Sequence, residues 1–322
     1  MRPLSDLKKA MKGVDIVLPT PFNKDDSLDL EGMRANTRWL LERTAGKDFI
    51  LTPVGSTGEF YAMSDDECKA VIKMTVEETN GRNVVLAGTG RAGALETVRL
   101  CQYAQSVGAD GAQVILPYYH IPYEEGMYLH YKQIAESVDP NFGIMIYNNA
   151  AVSGSWIKPQ LMQKISRIPN IIAIKENTPY IMSYLAERRT VDPKDAVILI
   201  GIGEQMFSFA ALYGCPGFIS EIANFAPEIS YSLYQAAAAR DFDKVTELIN
   251  FLAPFSSFIG RVTTSHGPHT GVAGSAVMYV SVFKAVMDIV GLRGGELRLP
   301  MLPLNEEEKT ELRSILKDMK II

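Results

Sequence analysis

The sequence predicts an α/β protein, a closed (β/α)₈ or TIM barrel with a helical appendage after the last strand. Three observations predict this fold. Short apolar runs recur about every 29 residues, a helical pattern follows each run, and eight such units succeed one another. Strands that alternate with helices indicate a parallel sheet, and eight of them close a barrel. The carboxyl ends of all strands then open on one face, where such barrels carry out their chemistry.

The predicted strands are short and mostly apolar, as expected for strands buried on both faces: 14–22, 49–54, 84–87, 112–116, 143–147, 171–175, 197–200 and 217–220. Helical patterns lie between them: 29–42, a helix capped at Ser64, 94–107, 124–138, a helix beginning near Pro159, 179–189 and 205–213. Ser64 and Glu67 form a capping-box pattern, which marks a helix start.

The segment after strand eight predicts a long helical tract over 227–252 and two amphipathic helices, 276–290 and 305–320. We therefore divide the chain into 1–226, the barrel through strand eight, and 227–322, the last barrel helix plus a C-terminal helical extension. We expect the two parts to form one structural unit, because no low-complexity linker separates them.

Composition limits the function classes. The chain has 322 residues, 47% of them hydrophobic, and a net charge of −5 with both signs interspersed, so we expect no nucleic-acid partner. An N-terminal apolar signal region and an apolar stretch of 18 residues are both missing, so we expect no membrane partner. The three cysteines are few and widely spaced, as in reduced cytoplasmic proteins: Cys68, Cys101 and Cys215.

The strand 171–175 ends in a lysine, which is the strongest functional signal in the sequence. Lysine is rarely buried, and partial desolvation at a strand end leaves some of Lys175 as the neutral amine. That amine is the nucleophile for Schiff-base formation with a ketone. The alternative interpretation is a lysine that reaches solvent or pairs with Glu176.

Two other strand ends face the same predicted cavity. Gly55, Ser56 and Thr57 end strand two, where backbone amides and hydroxyls suit a carboxylate, although an ordinary turn has the same composition. Tyr147 ends strand five beside the lysine strand, and its phenol suits proton transfer, although a core tyrosine is the simpler alternative. An amine that reacts with a ketone, a phenol that transfers protons and a turn that binds a carboxylate together predict a 2-keto acid substrate.

Two further patterns point to cofactors and are weaker. Residues 88–93 match the Gly-x-Gly-x-x-Gly pattern of dinucleotide-binding sites, but they lie in the third unit and no acid ends the next strand. His266 and His269 have no helix that would align them and no acidic third ligand nearby in sequence. We predict neither a cofactor nor a metal, and we expect the histidine loop to lie near the cavity mouth.

Five motifs in one order resemble the dihydrodipicolinate synthase / N-acetylneuraminate lyase family, over about residues 13–320. They are Gly-Ser-Thr-Gly-Glu at 55–59, Pro-Tyr-Tyr at 117–119, Tyr-Asn at 147–148, Ile-Ala-Ile-Lys-Glu at 172–176 and Gly-Phe-Ile-Ser at 217–220, the last followed by Asn224 and Pro227. The resemblance implies a barrel and a class I, Schiff-base-forming activity that needs no cofactor.

The resemblance also implies residue roles. Lys175 is similar to the Schiff-base lysine, Tyr147 to the general acid/base, and Ser56 with Thr57 to the pair that holds the keto-acid carboxylate. Ile219 resembles the residue whose backbone lies beside bound pyruvate. Tyr119 is similar to the tyrosine that, in many members, reaches the proton relay of a neighbouring subunit. A homo-oligomer, a dimer or tetramer, is implied as well.

The departures from the family pattern concern specificity. Val152 stands where many synthases have an arginine that binds the carboxylate of aspartate semialdehyde, which argues against that activity. Residues 201–204 lack the aspartate that sialic acid lyases have near that place. Phe60, which follows the Gly-Ser-Thr-Gly-Glu motif, resembles the residue found there in the keto-deoxy sugar acid dehydratases and related aldolases.

We therefore predict a lyase, an aldolase or dehydratase, that forms a Schiff base with pyruvate or a 2-keto-3-deoxy sugar acid. The first alternative is dihydrodipicolinate synthase, which condenses pyruvate with aspartate semialdehyde. The second is a barrel that binds a metabolite without catalysis, against which the Lys175 and Tyr147 pair argues.

Overall fold

The computed structural model describes residues 2–266 and 278–322 and confirms a closed eight-stranded barrel. All neighbouring strands are parallel, and β8 pairs back to β1. The strands are β1 (Gly13–Val17), β2 (Phe49–Thr52), β3 (Val84–Gly88), β4 (Gly111–Ile115), β5 (Gly143–Asn148), β6 (Ile171–Glu176), β7 (Val197–Ile200) and β8 (Gly217–Ser220).

The described helices are α1 (Leu4–Ala10), α2 (Leu30–Thr44), α3 (Asp65–Thr79), α4 (Ala94–Ser106), α5 (Glu124–Glu136), α6 (Ala150–Ser153), α7 (Pro159–Ser166), α8 (Ile181–Thr190), α9 (Gly203–Ala211), α10 (Pro227–Ala238), α11 (Phe242–His266), α12 (Met278–Ile289) and α13 (Glu306–Asp318). Helix α3 begins at the predicted capping box, with Ser64 and Glu67 bonded in both directions. No described helix is long and apolar enough to cross a membrane.

Helix α1 was not predicted. Its Leu7, together with Met11 just after it, packs against the buried side chains inside the barrel, such as Leu86 of β3 and Ile172 of β6. Both side chains are almost fully buried. The amino-terminal segment is therefore part of the barrel core, and burial of its apolar side chains stabilises the helix.

Two predicted boundaries were wrong. The first strand was predicted over 14–22 but ends at Val17, because the chain then turns and Phe22 bridges Leu28 and Glu296 instead. The tract predicted as one helix over 227–252 is two helices, α10 and α11. Arg240 adopts a left-handed conformation (φ 58°) between them, which interrupts the helical hydrogen bonds.

The appendage consists of α11, α12 and α13, which share an apolar cluster that includes Phe255, Phe283 and Leu312. Lys284 of α12 is buried and forms an ion pair with Glu59, which follows β2 (Nζ–Oε1 2.6 Å). The Lys284 ammonium also donates to the Thr20 carbonyl oxygen. The appendage is thereby attached to the face of the barrel where the strands end, and the exact domain division stays a prediction.

The glycines of the Gly-x-Gly-x-x-Gly pattern have packing roles. A Cβ at Gly88 would lie 2.0 Å from the carbonyl oxygen of Val54, and one at Gly90 would lie 2.6 Å from Cγ2 of Ile115. Both positions exclude any larger side chain because neighbouring strands pass close by. Close packing of the barrel therefore accounts for the first two glycines of the pattern.

Candidate active site

A cavity of about 820 Å³ opens at the carboxyl ends of the strands. Four of the predicted site residues line it: Ser56, Thr57, Tyr147 and Lys175. They come from the ends of β2, β5 and β6, which are far apart in the sequence but meet because the barrel is closed. The structure therefore brings these four predicted residues together.

Lys175 and Tyr147 are partners in the register of β5 and β6. The Lys175 Nζ lies 3.9 Å from the centre of the Tyr147 ring, and both side chains are buried. A Cβ at Gly201 would lie 2.9 Å from Cγ of Lys175, so the absence of a side chain there leaves room for the lysine stem. Within the described residues, Nζ makes no hydrogen bond or ion pair, so the amine is free to react.

Glu176, the alternative partner of the lysine, is bonded elsewhere. Its carboxylate accepts hydrogen bonds from Nδ2 of Asn148 (2.8 Å) and from the backbone amide of Thr178 (2.9 Å). Asn148 also donates to Glu187, which is fully buried (3.0 Å). Burial and the nearby Glu176 raise the pKa of Glu187 well above its usual range, so this carboxyl is held in its neutral form.

The turn after β2 presents donors to the cavity. A Cβ at Gly55 would lie 2.4 Å from Cγ1 of Val17, so only glycine fits where the turn begins. The Ser56 hydroxyl is buried and has no hydrogen-bond partner among the described residues. The backbone amides of Ser56 and Thr57 likewise donate to no acceptor in the described ranges. Unpaired buried donors are costly, so a ligand carboxylate at this turn would satisfy them.

Asn149 lies beside the phenol and was not predicted as a site residue. Its Nδ2 donates a hydrogen bond to the Tyr147 oxygen (2.7 Å), and its side chain lines the cavity. Its Oδ1 accepts hydrogen bonds from the backbone amides of Ala151 (3.1 Å) and Val152 (3.3 Å) and so caps the short helix α6. The cap orients the amide of Asn149 towards the phenol.

Sequence reasoning also missed a group of acidic side chains. Glu204 and Glu221 line the cavity. Burial raises the pKa of Glu221 to about 7, with a further contribution from Glu204, while Lys175 opposes the shift. Asp15 is buried in β1 and accepts a hydrogen bond from Thr52 (2.7 Å). Burial raises its pKa to about 6. The sequence did offer one sign of a site residue here, because Glu221 lies one residue after β8, at the end of a barrel strand.

Three predicted residues do not line the cavity. Tyr119 is 82% exposed, and its neighbour Tyr118 lines the wall instead. Ile219 is buried in β8, where it is the register partner of Asp15. Gly55 lies at the base of the turn that carries Ser56, where it allows the turn to approach β1.

The appendage contributes Tyr279 of α12 to the cavity wall, which no motif had indicated. Its phenol lies near the Thr57 hydroxyl, Tyr147 and Glu221. Burial raises the pKa of Tyr279 well above its usual range, so this phenol stays protonated. A tyrosine about 130 residues after Tyr147 in sequence can be assigned to the site only from the tertiary structure.

The predicted histidine pair lies partly outside the described residues, which do not include His269. His266 ends α11, and its Nε2 lies 2.5 Å from Oε1 of Glu308 in α13. This contact joins two helices of the appendage. In the described ranges, no three side chains of His, Cys, Asp or Glu are grouped as metal ligands usually are.

Comparison with known proteins places these features in a family. The profile of the dihydrodipicolinate synthetase family matches residues 10–319. The 4-hydroxy-tetrahydrodipicolinate synthase of Methanococcus maripaludis is 33% identical over 313 residues, which cover 97% of this chain and 100% of that protein. The enzyme of the same name from Methanocaldococcus jannaschii is 31% identical, covering 97% and 99%.

Solved structures are similar over the same length. YagE of Escherichia coli K12, a prophage protein of the dihydrodipicolinic acid synthase family solved in complex with pyruvate, has a TM-score of 0.85 at 29% identity, covering 97% of this chain and 99% of that chain. Dihydrodipicolinate synthase of Thermotoga maritima has a TM-score of 0.84 at 28% identity, with the same coverage. The predicted enzyme class, a lyase of the class I aldolase type, is confirmed, because the chain belongs to the dihydrodipicolinate synthetase family.

Proposed function

We propose that this protein forms a Schiff base between Lys175 and a 2-keto acid and acts on pyruvate or a 2-keto-3-deoxy sugar acid. One observation carries the proposal: the buried Lys175 amine has no partner among the described residues and lies over the Tyr147 ring at 3.9 Å. The solved complex of YagE with pyruvate supports the choice of a 2-keto acid.

The proposed chemistry follows from the groups around the amine. The neutral Lys175 amine adds to the C2 ketone, and Tyr147 transfers protons as the carbinolamine loses water to form the iminium ion. The donors of Ser56 and Thr57 hold the C1 carboxylate. The iminium accepts the electron pair released when a C3 proton or the C3–C4 bond is lost, which gives an enamine. After aldol cleavage the enamine takes up a proton at C3, and in dehydration it expels the C4 hydroxyl, which leaves as water with a proton from the site. Either step restores an imine, whose hydrolysis frees the lysine.

The charges of the cavity support a sugar acid over a second carboxylate. Glu204 and Glu221 line the wall, and Lys175 is the only lysine or arginine among the described lining residues. Val152 also lines the cavity, where an arginine would otherwise bind a distal carboxylate. Burial raises the pKa of both carboxyls, and a carboxyl group forms hydrogen bonds with hydroxyls in either protonation state. Because the described wall offers no second cation for another carboxylate, the distal part of the substrate is proposed to be neutral and hydroxylated.

The second candidate is 4-hydroxy-tetrahydrodipicolinate synthase, the name of relatives at 30–33% identity. Full-length similarity to several enzymes of one name favours this activity. It requires a group other than Val152 to bind the carboxylate of aspartate semialdehyde. A coupled assay with pyruvate and aspartate semialdehyde tests it, and efficient turnover would make it the better assignment.

The test of the Schiff base is intact mass after borohydride reduction in the presence of pyruvate. The wild type is expected to gain one reduced pyruvyl group, and Lys175→Ala none. A matched control is Lys158→Ala, an exposed lysine that keeps the adduct. If the wild type forms no adduct with pyruvate or with longer 2-keto acids, the proposal is wrong and a barrel that only binds metabolites is the better interpretation.

A screen of 2-keto-3-deoxy acids then separates the reactions. Aldol cleavage releases pyruvate, whereas dehydration releases water and retains the carbon chain. Glu221→Gln is expected to weaken binding of the hydroxylated substrates while leaving the pyruvate adduct, because a neutral amide accepts hydrogen bonds less strongly than a carboxylate. If Glu221→Gln weakened the binding of pyruvate and of the longer acids equally, Glu221 would have no role in recognising the hydroxylated part of the substrate.

We also propose that the chain forms a homo-oligomer and is located in the cytoplasm. A homo-oligomer, a dimer or tetramer, is supported by exposed apolar side chains after β4, namely Tyr119, Ile121 and Tyr123. One similar solved structure, at 27% identity, is a monomeric dihydrodipicolinate synthase variant, so sedimentation of this chain is the deciding measurement. Cytoplasmic location stays a prediction.

A further inference from the structure

Glu221 presents a carboxyl without a partner to the cavity that contains Lys175. Both residues line the same wall space. The Glu221 carboxyl makes no ion pair and accepts no hydrogen bond from another residue within the described ranges. A Cβ placed on Gly203 would lie 3.9 Å from its Oε2, so the carboxyl lies against bare backbone there. It is therefore available to a ligand.

Hydrogen bonds fix the position of Glu221 at the end of β8. Nδ2 of Asn224 donates to the Glu221 carbonyl oxygen (3.1 Å). The preceding residue, Ser220, donates its hydroxyl to Oε1 of Glu204 (2.5 Å), and Ser230 donates to the same oxygen (2.7 Å). Because the backbone on both sides is held, the Glu221 carboxyl stays at the rim of the barrel.

The strand register places Glu221 nearer the cavity mouth than Lys175. Leu199 of β7 is the partner of Lys175, and the next residue, Ile200, is the partner of Phe218 in β8. Glu221 comes three residues after Phe218, or roughly 10 Å at about 3.3 Å per strand residue. Packed side chains fill the barrel below the lysine, so a bound substrate can extend only towards the mouth. We therefore expect the carbons beyond C3 to approach Glu221.

The titratable groups around Glu221 favour its protonated form. Burial raises the pKa of Glu221 to about 7, and the Glu204 carboxyl contributes to the increase. Asp15 acts in the same direction, whereas the Lys175 ammonium opposes it. The Tyr279 phenol, which lines the cavity from α12, stays protonated and uncharged. Much of Glu221 is therefore protonated at neutral pH and can donate a proton.

We propose that Glu221 is the general acid that protonates the C4 hydroxyl of a 2-keto-3-deoxy sugar acid, so that the reaction of this chain is dehydration. The proposal rests on the proposed Schiff-base function and selects one of its two reactions. Aldol cleavage removes a proton from the C4 hydroxyl and needs a base at this place, which a protonated carboxyl does not supply.

The proposed step begins from the enamine that forms when the iminium loses a C3 proton. The nitrogen lone pair restores the C=N bond, the C2=C3 electron pair moves to C3–C4, and the C4–O bond breaks. The Glu221 proton passes to the leaving oxygen, which gives water, a carboxylate and a conjugated iminium. Because the negative charge on Glu221 develops as the positive iminium returns at Lys175, the two charges stabilise each other. Hydrolysis then releases the 2-keto-3-enoic acid, and Glu221 regains a proton from solvent.

The test uses five- and six-carbon 2-keto-3-deoxy sugar acids in deuterated water. Mass spectrometry measures loss of one water from the carbon chain, lactate dehydrogenase measures any pyruvate released, and proton NMR measures exchange of the C3 hydrogens. The exchange reports enamine formation, which precedes loss of the hydroxyl. The wild type is expected to release the dehydrated acid and no pyruvate.

Glu221→Gln separates the proton donation from the earlier steps. It should lower kcat for dehydration by about 100-fold or more, a larger change than any rise in KM. The variant should still form the borohydride adduct and still exchange the C3 hydrogens of the substrate. Glu221→Asp, which keeps an acid on a shorter side chain, should recover part of the rate. Glu228→Gln, at an exposed carboxyl of α10, is the matched control and should behave as wild type.

The pH dependence gives a second readout. The wild-type kcat for dehydration should fall as the pH rises through about 7, because the protonated form of Glu221 is lost. The residual rate of Glu221→Gln should lack this decline, since the amide does not titrate.

Three results would overturn the assignment of Glu221. They are pyruvate as the wild-type product, wild-type dehydration by Glu221→Gln, and an equal loss of C3 exchange and dehydration in that variant, which would indicate a role in binding or imine formation. Absence of the borohydride adduct in the wild type would instead reject the Schiff-base function, so the two failures are distinguishable.

Discussion

Replacement of Lys284 by methionine is expected to destabilise the protein more than any single surface change. Lys284 and Glu59 are each at most 2% exposed, and Nζ lies 2.6 Å from Oε1. At an effective dielectric constant of about 20, two unit charges at that distance attract by roughly 6 kcal/mol. Desolvation costs several kcal/mol for each ion, so the intact pair contributes little net stability.

Removal of one partner leaves the other charge buried without compensation. Lys284→Met should therefore lower the free energy of unfolding by about 3–5 kcal/mol. The double variant Glu59→Gln, Lys284→Met should recover most of that loss, because neither side chain is then charged. Burial already raises the pKa of Glu59 and lowers that of Lys284, which indicates that desolvation outweighs the attraction between them.

The same argument gives a pH dependence. In Lys284→Met the orphaned Glu59 has a folded-state pKa above its unfolded value, so it is protonated at low pH and charged at high pH. The destabilisation should therefore be larger at about pH 8 than at about pH 5. Because Glu59 follows the turn that carries Ser56 and Thr57, the variant should also bind pyruvate more weakly.

Urea unfolding followed by tryptophan fluorescence measures these effects. The control is Lys132→Met, which removes an exposed ion pair with Glu136 and should change stability by less than about 1 kcal/mol. The reasoning would be refuted if Lys284→Met cost less than about 1 kcal/mol, or if the double variant were no more stable than the single one.

Two further predictions concern pH and packing. Glu221 has a folded-state pKa of about 7 against 4.5 for the free group, so the folded state binds more protons than the unfolded state between these two pH values. The free energy of unfolding should therefore fall as the pH rises through that window. Glu221→Gln should flatten this decline, measured as the urea midpoint at each pH. Gly88→Ala should lower the free energy of unfolding by about 2–4 kcal/mol, because its Cβ would lie 2.0 Å from the Val54 carbonyl oxygen. The control in the same urea unfolding experiment is Gly93→Ala, where a Cβ meets nothing within 4 Å.

Much of the fold was predictable because its signals are local. Buried parallel strands appear as short apolar runs, and helices of the barrel carry their own periodicity, so eight units could be counted directly. The break between α10 and α11 was not predictable, since Arg240 has no intrinsic preference for a left-handed conformation. Helix α1 was missed because its stability comes from Leu7 in the barrel core.

The sequence by itself determined the barrel and the meeting of Lys175, Tyr147, Ser56 and Thr57, because parallel strands must end on one face. Only the tertiary structure decided what surrounds these groups. Glu59 and Lys284 are 225 residues apart in the chain, and Tyr279 reaches Thr57 only through the packing of α12 on the barrel. Such contacts depend on side-chain orientation and on distances of a few ångströms, which no periodicity in the sequence encodes.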